Sequence, residues 1–366
     1  MNLDASYMQR ALENARKGKP SPNPPVGAVV VLGDQVAGEG FHAKAGGEHA
    51  EIAALRACRV SPRGGTLYVT LEPCNHTGRT GPCTEAIIAA GISRVVIGCD
   101  DPNPHVAGGG IERLKNAGIE VTKGVLTPEC EKLIAPWTKY VTEGYPFVCL
   151  KLALSLDGRI ASRTGASKWV TGREARARVH ALRAEHDAVS VGIGTVLADD
   201  PKLTVRHSEG VSPTRIVWDT KLRTPLLSKL VESAAEVPTW ILAAETASES
   251  IEEQLLQSHV QVIRCPISQE GRIDPNYAMK ELAKRGIVRL MIEGGAELAG
   301  SILAHKLADE LHAFLAPILL GPRGRPGAVD WAGPTTPEIA PRIDSPTWEL
   351  CGGDAHVFGP LLYPDE

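Results

Sequence analysis

Four side chains between Gly46 and Cys83 have the types and spacing to do chemistry together: the imidazole of His49, the carboxylate of Glu51 and the thiols of Cys74 and Cys83. Nitrogen and thiolate sulfur suit zinc, and a centre with only three protein donors keeps a fourth tetrahedral position for water. Zinc brings the pKa of such a water down to about 7, so hydroxide becomes available at neutral pH. A carboxylate outside the metal shell must then move protons. The reading is three ligands for Zn2+, namely His49, Cys74 and Cys83, and one base, Glu51.

These groups converge only if the elements carrying them begin or end at one place. His49 follows Gly46-Gly47 and opens the run AEIAALRAC, in which Ile52, Ala54 and Leu55 keep helical spacing. In mid-helix, residues i and i+2 point about 200° apart, so His49 and Glu51 share a target only at a helix terminus. Cys83 follows Pro82 and opens TEAIIAAG, a second helix stopped by Gly91, where the helix dipole favours a thiolate. Cys74 comes after the apolar strand TLYVTL and Pro73, at the strand's carboxyl end. Cys58, Cys99, Cys130, Cys149, Cys265 and Cys351 have no such company and read as ordinary buried thiols.

Around the site, Asp4 is placed to cap a helix bearing Tyr7, Met8, Ala11, Leu12 and Ala15, ended by Gly18 and Pro20. GAVVVL and QVAGEGF form a hairpin about Gly33-Asp34. Beyond His49, helices alternate with strands at 67–71, 94–98 and 120–122. Such alternation predicts an α/β unit with a mostly parallel sheet, whose sites lie outside the strands' carboxyl ends, where Cys74 falls. Asn23 in the loop SPNPPVG is a candidate for a polar ring, and His42 and His76 for a phosphate; a turn role for Asn23 and surface roles for the histidines compete equally.

Residues 136–146, PWTKYVTEGYP, break the periodicity and mark a boundary, giving domains 1–144 and 145–366. FVCLKLALSLDGRIA then reads as a strand buried on both faces and closed by an Asp157-Gly158 turn. Lys151 interrupts it, which is costly unless the lysine is paired or functional, although at the strand's edge it would be ordinary. A helix over 174–185 and the strands AVSVGIG, TRIVWDT, TWILAA, VQVIRC and VRLMIEGG continue the alternation. Glu293-Gly294-Gly295 leads into the helix AELAGSILA, whose amides could hold an anion, although a glycine pair there serves more often as a plain turn. Leu197 stands where a G-x-G-x-x-G fingerprint from Gly192 needs its third glycine, so spacing alone does not establish a nicotinamide cofactor.

A chain of 366 residues, 43% hydrophobic and 22% charged, has material for a core in each of two domains. Its net charge of -4, without a basic stripe, speaks against a nucleic-acid partner. The amino terminus has no signal-like apolar core and no run approaches about 18 apolar residues, so the expected setting is the cytoplasm, away from membranes.

Taken together, the motifs NPPVGAVVV, HAEIAAL, TLYVTLEPCNHTGRTGPC, DPNP, KLALSLDGRIA, SKWVTG, TVLADDPKLTVR and EGGAEL resemble the bifunctional riboflavin-biosynthesis deaminase/reductase family over nearly the whole chain. The H-A-E and P-C elements match the zinc deaminases. Eight residues, NHTGRTGP, separate the cysteines where the nucleic-acid deaminases have two, and eight is this family's form. The resemblance implies a cytidine-deaminase-like fold followed by a dihydrofolate-reductase-like one, acting on small pyrimidine nucleotides with Zn2+ and NADPH. Its first reaction is hydrolytic loss of the 2-amino group from 2,5-diamino-6-(ribosylamino)-4(3H)-pyrimidinone 5'-phosphate, and its second is reduction of the ribosyl group to ribityl. It implies NADPH contacts at Ala153, Trp169, Thr195, Asp199, Thr220 and along Gly295, Ala296, Glu297, Leu298, Ala299, Gly300 and Ser301. It implies substrate contacts at Ser167, Arg183, Leu203, Arg206 and Glu293, the arginines suiting the 5'-phosphate. A homo-oligomer stays open. The competing readings are a zinc deaminase of another base or nucleotide with a non-catalytic second domain, and a zinc-stabilised scaffold, against which the three-ligand count speaks.

Overall fold

Contacts divide the chain into two compact units, Met1–Tyr145 and Pro146–Glu366. The computed structural model describes residues 3–76, 81–104, 109–168, 170–321 and 327–364. The first unit holds helix α1 (Leu3–Ala15), strands β1 (Gly27–Leu32) and β2 (Gln35–Phe41), helix α2 (Ala50–Arg56), strand β3 (Thr66–Leu71), helix α3 (Cys83–Ala89), strand β4 (Arg94–Cys99), helix α4 (Gly110–Asn116), strand β5 (Glu120–Lys123) and helix α5 (Thr127–Glu143). Its sheet has the order β2-β1-β3-β4-β5. Strands β3, β4 and β5 are parallel, while β1 is antiparallel to both β2 and β3, so the sheet is more mixed than the alternation predicts. The run GAVVVL is apolar throughout because both faces of β1 are covered: Gly27 to Val31 are all buried.

Helix α2 lies unusually close to β2. A Cβ on Gly40 would stand 2.3 Å from Ala54 N and 2.5 Å from Ala50 O, and one on Gly38 would stand 2.3 Å from Ala54 O. Two glycines on the strand and two alanines on the helix therefore fix the height at which α2, and the residues at its amino end, sit above the sheet. Fully buried Leu67, Ile87, Ile97 and Leu114 complete the packing, each contributing about 1.5–3 kcal/mol of burial.

Two sequence expectations fail in this unit. Asp4 does not cap α1; the helix is already under way at Leu3, and the Asp4 carboxylate instead accepts from Arg94 Nη1 and Nη2 at 3.0 and 2.8 Å and from Tyr68 Oη at 2.7 Å. Residues 136–143 are not a linker but the last turns of α5, with Pro136 inside the helix. Cys130, Ile134 and Trp137 recur at helical spacing on its buried side, and that burial outweighs the hydrogen bond Pro136 removes.

The second unit begins with strand β6 (Phe147–Ser155), followed by α6 (Arg173–Ala184), β7 (Ala188–Gly192), α7 (Ile193–Asp199), β8 (Thr214–Trp218), the single turn α8 (Lys229–Glu232), β9 (Thr239–Ala244), α9 (Glu249–Gln257), β10 (Val260–Cys265), α10 (Pro275–Lys284), β11 (Arg289–Glu293), α11 (Ala296–Ala304), β12 (Glu310–Ala316), and the strands β13 (Arg342–Ile343), β14 (Thr347–Cys351) and β15 (Asp354–Leu362). The sheet order is β10-β9-β8-β7-β11-β6-β12-β15-β13, with β14 beside β15. From β10 to β12 every pairing is parallel, and β15 closes the sheet antiparallel to β12, β13 and β14. Arg215 of β8 is wholly buried, and its guanidinium nitrogens donate to the carbonyls of Lys202, Leu230, Ser233 and Val237 and to the hydroxyls of Ser233 and Thr239. Among the described residues, no helix is long and apolar enough to cross a membrane.

Candidate active sites

In the first unit, three chain segments deliver the sulfur and nitrogen donors to one point. His49 is the N-cap of α2, Cys83 is the first residue of α3 and Cys74 lies three residues beyond the end of β3. His49 Nδ1 is 3.2 Å from Cys83 Sγ and 3.5 Å from Cys74 Sγ, and the three donor atoms lie within 4.8 Å of one another. Tetrahedral zinc at about 2.3 Å from sulfur and about 2.0 Å from nitrogen sets such neighbours roughly 3.5 Å apart. The donor set therefore fits that metal in both chemistry and spacing.

Cys83 hydrogen-bonds Cys74, which pulls the Cys74 thiol down to about 4, and the same bond together with burial pushes Cys83 far up. The backbone N–H of Cys83, at the start of α3, donates to Cys74 Sγ at 3.4 Å. The hydrogen bond to Cys74 also raises His49. Glu51, in the first turn of α2, is 4% exposed, and burial raises its carboxyl above the usual range.

A cavity of about 610 Å³ opens on these groups, lined also by Asn23, His42, His76, Asp101, Trp137 and Tyr140. His42 is buried and stands edge-on to His49 at 5.3 Å between ring centres. Its Nδ1–H donates to Glu48 O at 2.8 Å, so Nε2 is the lone pair that accepts from Asn23 Nδ2 at 3.0 Å. Burial lowers the His42 pKa, in keeping with that neutral tautomer. The bond orients Asn23, leaving Oδ1 as its acceptor for a ligand. Trp137 and Tyr140 escaped the sequence reading because they stand in the stretch taken as a linker; their spacing on a helix was the available signal.

In the second unit, two cavities of about 750 and 330 Å³ share Ile160, Ser167, Thr195, Asp199 and Gly295. Both lie at the carboxyl ends of parallel strands, the usual place for ligands in such sheets. The larger is lined by Thr195, Asp199, Thr220, Gly295, Ala296, Glu297, Leu298 and Ser301 of the expected cofactor set, and by Trp218, Lys221 and Arg223, which that set lacks. The cations sit just past the end of β8, which was the signal for them. Gly294 and Gly295 enter α11 at φ 77° and 85°, a left-handed path that favours glycine. Ala299 and Gly300 do not line the cavity. They face inward from α11, where a Cβ on Gly300 would meet Asp330 O at 1.9 Å. Trp169 lies outside the described residues.

The smaller cavity gathers all five expected substrate residues, Ser167, Arg183, Leu203, Arg206 and Glu293, together with Ala153 and Lys151. Ser167 Oγ donates to Asp199 Oδ1 at 2.5 Å, tying the two cavities together. Arg183 is committed: Nε and Nη2 donate to the two Glu293 oxygens at 2.5 and 2.8 Å, and Nη1 donates to Thr204 O at 3.1 Å. Burial would raise Glu293, but Arg183 and then Lys151 override it and hold the carboxyl at about 2. Burial lowers the Lys151 ammonium, with Glu293 opposing. Arg206, exposed and bonded to Thr204 Oγ1 at 2.8 Å, forms no ion pair among the described residues and is the guanidinium left for an anion.

Fold and site together define a zinc-dependent deaminase of the cytidine-deaminase type joined to a reductase of the dihydrofolate-reductase type. Residues 1–99 match the cytidine and deoxycytidylate deaminase zinc-binding region, and residues 146–357 match the RibD C-terminal domain. Riboflavin biosynthesis protein RibD of Actinobacillus pleuropneumoniae is 40% identical over 96% of this chain and 93% of its own, and that of Escherichia coli is 41% identical over 88% and 90%. Among solved structures, RibD of Acinetobacter baumannii (38% identity, TM-score 0.87) and the deaminase/reductase of Thermotoga maritima (36%, TM-score 0.85) each superpose over 99% of both chains. The chain belongs to the RibD family, the bifunctional deaminase–reductases of riboflavin biosynthesis.

Proposed function

We propose that the first unit hydrolyses the 2-amino group from 2,5-diamino-6-(ribosylamino)-4(3H)-pyrimidinone 5'-phosphate, and that the second reduces the ribosyl group of the product with NADPH. This extends to the chain the two activities named for the Thermotoga maritima protein. The observation that carries the reading is the triangle of His49, Cys74 and Cys83 with buried Glu51 beside it and a cavity in front. Three protein donors suit a catalytic centre, since structural zinc sites are closed by four.

His49, Cys74 and Cys83 would hold zinc, which supplies water with a pKa near 7. Glu51 takes a proton at its carboxylate and returns it to the departing amino nitrogen; a carboxyl raised by burial suits both transfers. Asn23, oriented by neutral His42, offers Oδ1 to a ring N–H. In the second unit Thr195, Asp199, Thr220 and the amino end of α11 would bind NADPH, with Lys221 and Arg223 as its anion partners. NADPH supplies the hydride. Arg206 binds the 5'-phosphate, Ser167 positions the sugar, and Lys151, facing the same cavity beside Glu293, holds or yields a proton at the sugar oxygen as the ring opens. A reducing cytoplasm suits a centre built from adjacent free thiols.

The test is a paired assay on the full chain, ammonia release and NADPH oxidation with the diaminopyrimidine nucleotide. Both signals are expected from one preparation. Ammonia release without NADPH oxidation, on the deaminated nucleotide as well, would favour a non-catalytic second unit instead.

A further inference from the structure

On strands β6 and β12 the second unit contains a polar cluster that neither reaction uses. In the parallel pairing of β6 with β12, Cys149 stands opposite Glu310, and His312 opposite Lys151. Cys149 is fully buried and His312 is 4% exposed. A sulfur from Cys149, an oxygen from Glu310 and a nitrogen from His312 lie within 4.8 Å of one another.

The neighbouring bonds orient lone pairs into this cluster. His312 Nδ1 and His356 Nε2 are 3.1 Å apart, so one of them carries the proton. His356 Nδ1 is buried without a hydrogen-bond partner and is 3.6 Å from Glu349 Oε2, so a proton there is drawn toward that carboxylate. With His356 accepting from His312 Nδ1–H, His312 Nε2 is the atom that faces Glu310 Oε2, 3.5 Å away. That nitrogen and that carboxylate share a proton as they stand, and at this separation a dication can take the proton's place.

We propose that Cys149, Glu310 and His312 form a second metal site for a borderline transition-metal dication, zinc foremost. The sulfur, the nitrogen and the single oxygen select zinc over calcium or magnesium, which take oxygen shells. Thiolate, carboxylate and dication sum to zero charge, which lets the cluster stay buried. Arg289 opposes the cation, and Glu310 offsets it. His356 is the outer partner that fixes the ring of a ligating histidine. Because Cys149 lies on β6 and Glu310 and His312 on β12, the metal would clamp these two neighbouring strands, of which β6 carries Lys151, Leu152 and Ala153 on the smaller cavity.

The test is metal content of the full-length protein after exposure to zinc and exhaustive dialysis. Two zincs per chain are expected in the parent, one in Cys83→Ser, one in Cys149→Ala, and none in the double variant. In Cys83→Ser protein, cobalt should produce a thiolate-to-cobalt absorption band that Cys149→Ala abolishes. One zinc per chain in the parent, with none and no cobalt band in Cys83→Ser, overturns the proposal; so do two zincs retained in Cys149→Ala. The parental count needs no variant, so a misfolded substitution does not blunt the test. Failure here also leaves the deaminase centre intact, since that centre is read from the zinc lost in Cys83→Ser.

Discussion

Replacing Glu293 by glutamine keeps the side chain's shape and removes the charge that Arg183 is built around. The carboxyl is held at about 2 against an ordinary 4.5, and each pH unit of such a difference is worth 1.36 kcal/mol, giving roughly 3 kcal/mol of stability at neutral pH. The sign follows from the direction. A lowered carboxylate contributes fully above about pH 4.5, and the contribution disappears as pH falls toward 2. An independent route agrees, because removing one partner of a buried ion pair costs about 3–5 kcal/mol. For a unit of this size that is a fall in melting temperature of roughly 6–12 °C at pH 7. Calorimetry of the full-length variant should show the fall, and hydrogen exchange should place the loss of protection in α6, β6 and β11 rather than in β1 to β5. Combining Arg183→Met with Glu293→Met should recover most of the stability, since apolar replacement of a whole pair is often neutral, without recovering NADPH oxidation. A Glu293→Gln protein melting within about 2 °C of the parent would falsify the claim that the pair is a buried, coupled unit.

Glu51→Gln should slow ammonia release by about 10²–10⁴-fold while zinc content and NADPH oxidation with deaminated nucleotide stay at parental values; near-parental deamination removes Glu51 from the mechanism. Cys83→Ser should lose the deaminase-site zinc, measured by elemental analysis, and retention of that zinc would mean the ligand is another residue. Arg206→Ala, losing a charge-assisted bond of about 1.5–3 kcal/mol, should raise KM for the nucleotide roughly 10- to 150-fold with NADPH affinity unchanged; a larger effect on NADPH would put Arg206 in the cofactor site. Gly40→Val should drive α2 off β2, so zinc binding falls although no ligand has been touched; unaltered zinc affinity would show that the close approach of Ala50 and Ala54 is dispensable.

The zinc centre was legible because its chemistry is written in residue types: an imidazole, two thiols and a carboxylate at element ends fixed by Gly-Gly and Pro signals. The α/β alternation was equally plain wherever strands are apolar on both faces. What escaped was whatever depends on partners distant in sequence. Asp4 looks like a cap until Arg94, ninety positions away, takes its carboxylate. Pro136 looks like a break until the burial of Trp137 is known. The strand β14 is exposed at four of its five positions, so no alternation announces it. Arg183 reads as a phosphate ligand because a sequence does not show that Glu293 already holds it. The tautomer of His42, and with it the orientation of Asn23, is set by a carbonyl oxygen, and main-chain oxygens carry no signature in a sequence.

The last strand has a consequence for how the protein is made. All five strands of the first sheet have been synthesised by Lys123, whereas the second sheet depends on β15, which ends at Leu362 and is paired with β12, β13 and β14. Domains fold as units, amino-terminal first, while the chain grows at about 5–20 residues per second, so the roughly 220 residues of the second unit take about 10–40 s to follow. Through that interval a finished deaminase trails a nascent reductase whose parallel strands have no closing edge. A ribosome that stalls or a message that is cut short before the codons of β15 therefore yields a polypeptide with one working half and one exposed edge, which makes the reductase half the place where translational error and aggregation fall together.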